Sequence, residues 1–401
     1  MMTHLHDRWQ HDGPKRLLAL DGGGVRGVVT LAYLAEMENL LRADHGNKDL
    51  VLADYFDLIG GTSTGSIIAA SLAMGKEVQW IIDLYKRLAQ GIFQPKFLGK
   101  LLRGLLAPKF DSKRLGEETN KHFDVKLGSE EIRTGLMIMM RRVDTGSPWP
   151  VHNNPEGPFF DCPDGEDWIA NREFTLAHLL PASCAAPSYF EPQELLVAYL
   201  RSGKEEIGVF VDGGVSPHNN PALQLLRLAT LRGYGFRWPL GCDNLELYSI
   251  GTGLRTLRFD NSRPSGDFAV RCLLGLMDDC ASEVEILLQW MSSSPTARHI
   301  DSEIGDLGQD SLAGRELFHY IRYNVELEGH WLQNKLGIAL PPGELDKLKE
   351  MDKPGNMDCL FRVASKAARK QVRPDHFPSC SAKGTLAPEG LAGAHRLVRE
   401  Q

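Results

Sequence analysis

The sequence predicts an α/β fold: a mostly parallel central sheet flanked by helices, with a mainly helical C-terminal extension. Three observations carry this reading. Residues 16–20 (RLLAL) are a short apolar run, followed by Gly22-Gly23-Gly24 and by apolar residues at helical spacing over 28–41. Residues 55–59 (YFDLI), Gly60-Gly61 and residues 66–74 (SIIAASLAM) repeat the same order. Short apolar runs recur at 136–140, 207–211 and 245–250. A strand, a glycine turn and a helix in succession form the unit from which parallel sheets are built.

Taken in order, the run at 16–20 reads as a buried strand ending at Asp21, and 28–41 as the helix that follows. The run at 55–59 reads as a second strand stopped by Gly60-Gly61, with a buried helix at 66–74. Residues 136–140 (LMIMM) read as a third buried strand. Residues 147–165, rich in Pro, Gly, Asn and Asp, read as a surface loop. A helix is expected at 174–184, closed off by Pro187. Residues 207–211 (IGVFV) read as a strand ending at Asp212. Pro221 suits a first helical position, which opens a helix at 222–231. Residues 245–250 (LELYSI) read as a strand stopped by Gly251-Thr252-Gly253. Beyond this point the alternation is expected to stop, with helices at 268–290, 314–320 and 358–372. The expected organisation is a catalytic domain at 15–253, a helical region packed on it at 254–373, and a flexible tail at 374–401.

Composition narrows the function classes. The chain has 401 residues, 24% of them charged, and a net charge of -7. This balance argues against binding a nucleic-acid polymer and gives no general attraction to an anionic membrane, so any membrane contact must be local. The seven cysteines are irregularly spaced with no C-x-x-C, which fits a reducing compartment better than a disulfide framework or zinc site. Residues 1–13 lack the apolar core of a signal peptide. No apolar run reaches the ~18 residues of a membrane span. A cytoplasmic protein is expected.

Three motifs carry chemistry. Gly61-Thr62-Ser63-Thr64-Gly65 is a G-x-S-x-G elbow, a sharp strand-to-helix turn that exposes a serine. Gly61 and Gly65 let the backbone pass close, and Ser63 would be the nucleophile. Gly22, Gly23 and Gly24 offer successive amides without side chains, a nest suited to an oxyanion hole. Arg26 would brace that loop or add positive charge. Asp212, before Gly213-Gly214, places a carboxylate at a strand end, where burial can raise its pKa and make it a usable base for a serine. A histidine triad is the alternative, with His178, His218, His299 and His319 as the residues to weigh. The glycine loop also satisfies G-x-G-x-x-G, the mark of a nucleotide-binding module. That reading needs an acidic residue at the end of the second strand, where this chain has Gly60-Gly61.

Together the motifs resemble the patatin-like phospholipase family, whose signature is D-G-G-G-x-R-G, G-x-S-x-G and D-G-[GA] in that order. Residues 182–192 (ASCAAPSYFEP) resemble the family's A-A-P-x-x-F-x-P stretch, and Asn219-Asn220-Pro221 resembles the sequence after its aspartate. The resemblance covers about residues 15–221. It implies a three-layer patatin-like sandwich, a Ser63–Asp212 dyad, an oxyanion hole at Gly22 to Gly24, and hydrolysis of phospholipid or another lipid ester without metal or cofactor. An acyltransferase would use the same dyad. Some bacterial members are switched on by a small signal such as a cyclic nucleotide, so a small regulatory ligand is a further expectation for the extension.

One segment bears on lipid access. At 97–106 (FLGKLLRGLL), Leu98, Leu101, Leu102 and Leu105 share one helical face, while Lys100 and Arg103 fall opposite. Such a helix can dock peripherally at the inner membrane face, act as a lid, or pack its leucines into the core. The acidic residues at 278–285 read as a solvated helix face, so no metal is assigned.

Overall fold

The computed structural model describes residues 3–11, 13–92, 109–255 and 266–377. In chain order its main elements are β1 (Lys15–Leu20), α1 (Gly27–His45), β2 (Leu58–Thr62), α2 (Thr64–Ala73), α3 (Val78–Ile92), α4 (Ser112–Phe123), β3 (Gly135–Arg142) and β4 (Ser147–His152). There follow α5 (Leu176–Ser183), β5 (Gln193–Tyr199), β6 (Glu205–Asp212), α6 (Ala222–Thr230), β7 (Leu245–Ile250), α7 (Gly266–Met291), β8 (His319–Tyr323) and α8 (Met357–Gln371).

The strands form one eight-stranded sheet in the order β5-β6-β3-β2-β1-β7-β8, with β4 beside β3. Strands β3, β2, β1, β7 and β8 run parallel. Strand side chains alternate between faces, and here both faces are covered. Leu18, Leu20, Ile59 and Ile138 pack into the core with α1, α2, α3, α5 and α8. Leu17, Ala19, Leu58 and Met137 pack on the other side with Ala222 and Leu225 of α6 and Val284 and Leu288 of α7. The result is helix, sheet, helix in three layers, as a parallel sheet requires.

Strand β3 organises the site. Strand β4 occupies one of its edges over Met137 to Arg142. Strands β2 and β6 must therefore share the other edge in succession. Strand β2 ends with Thr62 opposite Met139, and Asp212 of β6 lies opposite Met140. Consecutive residues of β3 thus carry the end of the strand before Ser63 and the end of the strand at Asp212.

Four expectations need correction. The strand expected at 55–59 starts at Leu58, after a short helix Leu52–Tyr55, and runs through Gly60-Gly61. The expected loop at 147–165 opens with β4. Its Pro148 and Pro150 are tolerated because an outer strand leaves every second N–H unpaired. No helix forms over 314–320: Gly314 ends a short 3-10 turn, and His319 and Tyr320 open β8, parallel to β7, so the sheet does not stop at Gly253. Residues 374–377 are tied down: Phe377 stacks on Tyr248 with ring centroids 5.3 Å apart, and Tyr323 Oη lies 2.8 Å from His376 Nδ1.

Candidate active site

Strand β2 turns into α2 through Ser63, whose φ of 55° and ψ of -131° are strained for a residue with a side chain. The turn is tight enough to require its glycines. A Cβ on Gly61 would lie 2.3 Å from Gly65 O, and one on Gly65 would lie 2.4 Å from Leu20 O. Three bonds hold the strained turn. Ser63 N–H donates to Ser183 Oγ at 3.0 Å, Ser183 Oγ donates to Met139 O at 2.8 Å, and Ser66 Oγ donates to Ser63 O at 2.6 Å.

Asp212 is buried, at 3% exposure. Gly214 N–H donates to its Oδ1 at 2.7 Å. Burial pushes its pKa up to about 6, against the opposing pull of hydrogen bonding from the Ser63 side chain and the Gly214 amide. Ser63 and Asp212 line one cavity. A carboxyl poised near neutral beside a serine on a strained turn can exchange a proton with it. Cys184 lines the same cavity, and burial raises its thiol well above the usual range, which leaves it a protonated wall.

The glycine loop divides. Gly22 N–H donates to Asn219 O at 3.1 Å, so that amide is spent in the scaffold. Gly23 and Gly24 line the cavity, their amides engaged by no other group among the described residues. The loop is clamped by Thr252 Oγ1 donating to Gly22 O at 3.1 Å and by Val25 N–H donating to Met351 O at 2.8 Å. Arg26 braces it: the guanidinium donates to Gly253 O at 3.0 Å, away from the Ser63 cavity lining. Burial, with repulsion from Arg255, pulls its pKa down to about 9.

Of the four histidines, none lines the Ser63 cavity. His218 is buried, and that burial, with repulsion from Arg227, lowers its pKa to about 4. Residues Leu98, Lys100, Leu101, Leu102, Arg103 and Leu105 lie outside the described residues. Among the described residues no group of three or more His, Cys, Asp and Glu is placed to hold a metal.

A family model described as Patatin-like phospholipase matches residues 18–226, just over half of the chain. The chain belongs to the patatin-like phospholipase family. The matched span contains every patatin motif residue named above, from Asp21 to Asp212. A cGAMP-activated phospholipase of Escherichia coli (strain TW11681) is 32% identical over 219 residues, 54% of this chain and 57% of that protein. Patatin-07 of Solanum tuberosum is 27% identical over 275 residues, 63% of this chain and 64% of that protein. The chain thus spans somewhat over half the length of the curated relatives it matches. The solved human GIVD cytosolic phospholipase A2 aligns at a TM-score of 0.40 and 11% identity, covering 95% of this chain and 62% of that one.

Several site residues carry no role in the sequence reading. Ser183 and Asn219 fall inside the segments 182–192 and 219–221 that resemble patatin stretches, so their position was marked although their bonds were not. Arg322, which grips Asp21, and the cavity residues Leu274, Met277 and Met351 lie beyond the patatin match, where no motif points to them.

Proposed function

We propose that this chain is a lipid acyl hydrolase that cleaves ester-linked fatty acids with a Ser63–Asp212 dyad. The observation that carries it is the shared cavity. A strained serine and a buried carboxyl of raised pKa meet beneath two free glycine amides, in a pocket walled by apolar side chains. Apolar walls suit an acyl chain, and the family supports a phospholipid or related ester as substrate.

The chemistry follows from the groups present. Ser63 Oγ attacks the ester carbonyl carbon and gives its proton to Asp212. The carbonyl electron pair moves to oxygen, and the amides of Gly23 and Gly24 hold that oxyanion. The ester C–O bond breaks, and protonated Asp212 returns the proton to the departing alkoxide. Asp212 then takes a proton from water, whose oxygen attacks the acyl-Ser63 carbonyl. Fatty acid leaves, and Ser63 regains its proton from Asp212.

Free cysteines at the described positions are compatible with a cytoplasmic setting. No helix among the described residues is long and apolar enough to cross a membrane. We therefore read the enzyme as meeting lipid at a surface.

The test is incubation of the purified chain with a defined lipid panel, with mass-spectrometric detection of released fatty acid. Wild type should release fatty acid, and Ser63→Ala should lose about a thousandfold or more while keeping its circular-dichroism spectrum. Undiminished release by folded Ser63→Ala would overturn the assignment.

A further inference from the structure

The wall of the Ser63 cavity is built in part from a helix outside the family match. Leu273, Leu274 and Met277 of α7 line the cavity with Ser63 and Asp212. The family model ends at residue 226, so this wall is supplied by the C-terminal region.

Helix α7 is anchored at one end and spans the cavity with the other. One face of its second half is buried: Val284 is 4% exposed, Glu285 2% and Leu288 0%. Val284 and Leu288 pack under the sheet with Ala222 and Leu225 of α6. Two and three turns back from Val284, along the same side of the helix, stand Met277, Leu274 and Leu273. These three are only half-buried, and they face the Ser63 cavity instead of joining that core. Leu276, off this stripe and not in the cavity lining, is 59% exposed. A stripe that continues past the core over a cavity is placed to touch whatever enters the cavity.

The position of Met277 is specific. Its Cε lies 3.1 Å from where a Cβ on Gly214 would stand, and Gly214 N–H holds Asp212. The methionine tip therefore sits over the carboxylate. The free volume of the cavity is about 80 Å³, roughly half that of a ~150 Å³ apolar cavity that accepts one benzene. A long acyl chain fits only where wall side chains give way. Methionine, unbranched and flexible, yields more readily than other apolar side chains.

We propose that Leu274 and Met277 are specificity-determining residues that set the acyl-chain length the Ser63 site accepts. The inference rests on the hydrolase reading above. Shortening either side chain lengthens the channel, and a larger side chain at 277 closes it.

The test uses the full-length chain and p-nitrophenyl esters from butyrate to palmitate. The readout is the ratio of kcat/KM for palmitate to that for butyrate. Met277→Ala and Leu274→Ala should raise this ratio about tenfold or more, and Met277→Trp should lower it by a similar factor, the scale of one or two methylenes in an apolar pocket. Leu276→Ala, on the same helix but outside the cavity lining, should leave the ratio unchanged. If all three inner variants scale every ester equally, or Leu276→Ala shifts the ratio as far as they do, the proposal is overturned. Should wild type show no Ser63-dependent turnover at all, the hydrolase reading fails instead. A second measurement then decides the inference: calorimetric binding of saturated fatty acids to the Ser63→Ala chain. Met277→Trp should weaken palmitate at least tenfold relative to octanoate. An unchanged ratio of affinities overturns it.

Discussion

Arg322 of β8 grips Asp21 with two parallel hydrogen bonds, 3.0 Å and 2.6 Å long, across 301 positions of sequence. Asp21 opens the glycine loop, and Arg322 also donates to Ser249 Oγ at 2.7 Å and lies 3.5 Å from Glu285 of α7. Burial pushes the Asp21 carboxyl up, and Arg322 pulls it back. The pair links the edge of the sheet, the loop and the helix that walls the cavity.

Breaking that pair on one side leaves a buried charge without a counter-charge, a change that typically costs about 3–5 kcal/mol. Arg322→Ala should therefore lower the urea midpoint strongly and reduce turnover. The double variant Asp21→Asn/Arg322→Met should recover a large part of the lost stability, because both charges leave together. A double variant no more stable than Arg322→Ala would show that the ion pair is not what the site depends on.

The raised pKa of Asp212 sets a pH dependence. On the proposed mechanism Asp212 must be ionised to accept the Ser63 proton. With its pKa at about 6, kcat/KM should be level in neutral solution and fall about tenfold per pH unit below that value. A pH–rate profile measured with a soluble ester checks this. A profile that stays flat down to the usual carboxylate range would contradict the assignment of Asp212 as base.

The same shift has a stability consequence. The folded pKa of about 6 lies above the ordinary 3.8. Folding then favours the protonated form, so this contribution is present in acid and is lost as pH rises through about 6. At neutral pH the folded protein holds a desolvated carboxylate at a cost. Asp212→Asn keeps the acceptor for the Gly214 amide and removes the charge. It should abolish turnover yet raise stability by about 1–3 kcal/mol at neutral pH. The gain should shrink towards acid. Thermal melts of both proteins across the pH range give the comparison.

How far the sequence reached depended on whether the determining interactions were local. The two βα units were readable because glycines and apolar period sit within a few dozen residues of each other. Ser63 and Asp212 were marked by their flanking glycines, which the close approaches of Gly61 to Gly65 O and of Gly213 to Met139 O require. Strand β8 was missed because HYIRY is short, and its pairing to β7 skips the whole of α7. Strand β4 was hidden by Pro148 and Pro150, which argue for a loop unless the strand is known to be an outer one. No local signal distinguished the Gly22 amide from those of Gly23 and Gly24, since its acceptor, Asn219 O, is far away in sequence. The Asp21–Arg322 pair is non-local in the same way.

Gly24 offers a test of the loop with an internal control. Its φ is +57°, and a Cβ there would lie 2.2 Å from Met351 O. Gly46, which ends α1, has a φ of +60° with nothing within 4 Å of a Cβ. Alanine at either position meets the same backbone strain, about 1 kcal/mol or somewhat more. Alanine at 24 must in addition push the loop away from Met351, whose carbonyl holds the Val25 amide. Gly46→Ala should therefore show a modest loss of stability and full turnover. Gly24→Ala should lose about 100-fold or more in kcat, the usual effect of displacing an oxyanion donor, with a smaller change in KM. Equal turnover in the two variants would mean that the amides at 23 and 24 do not hold the developing charge.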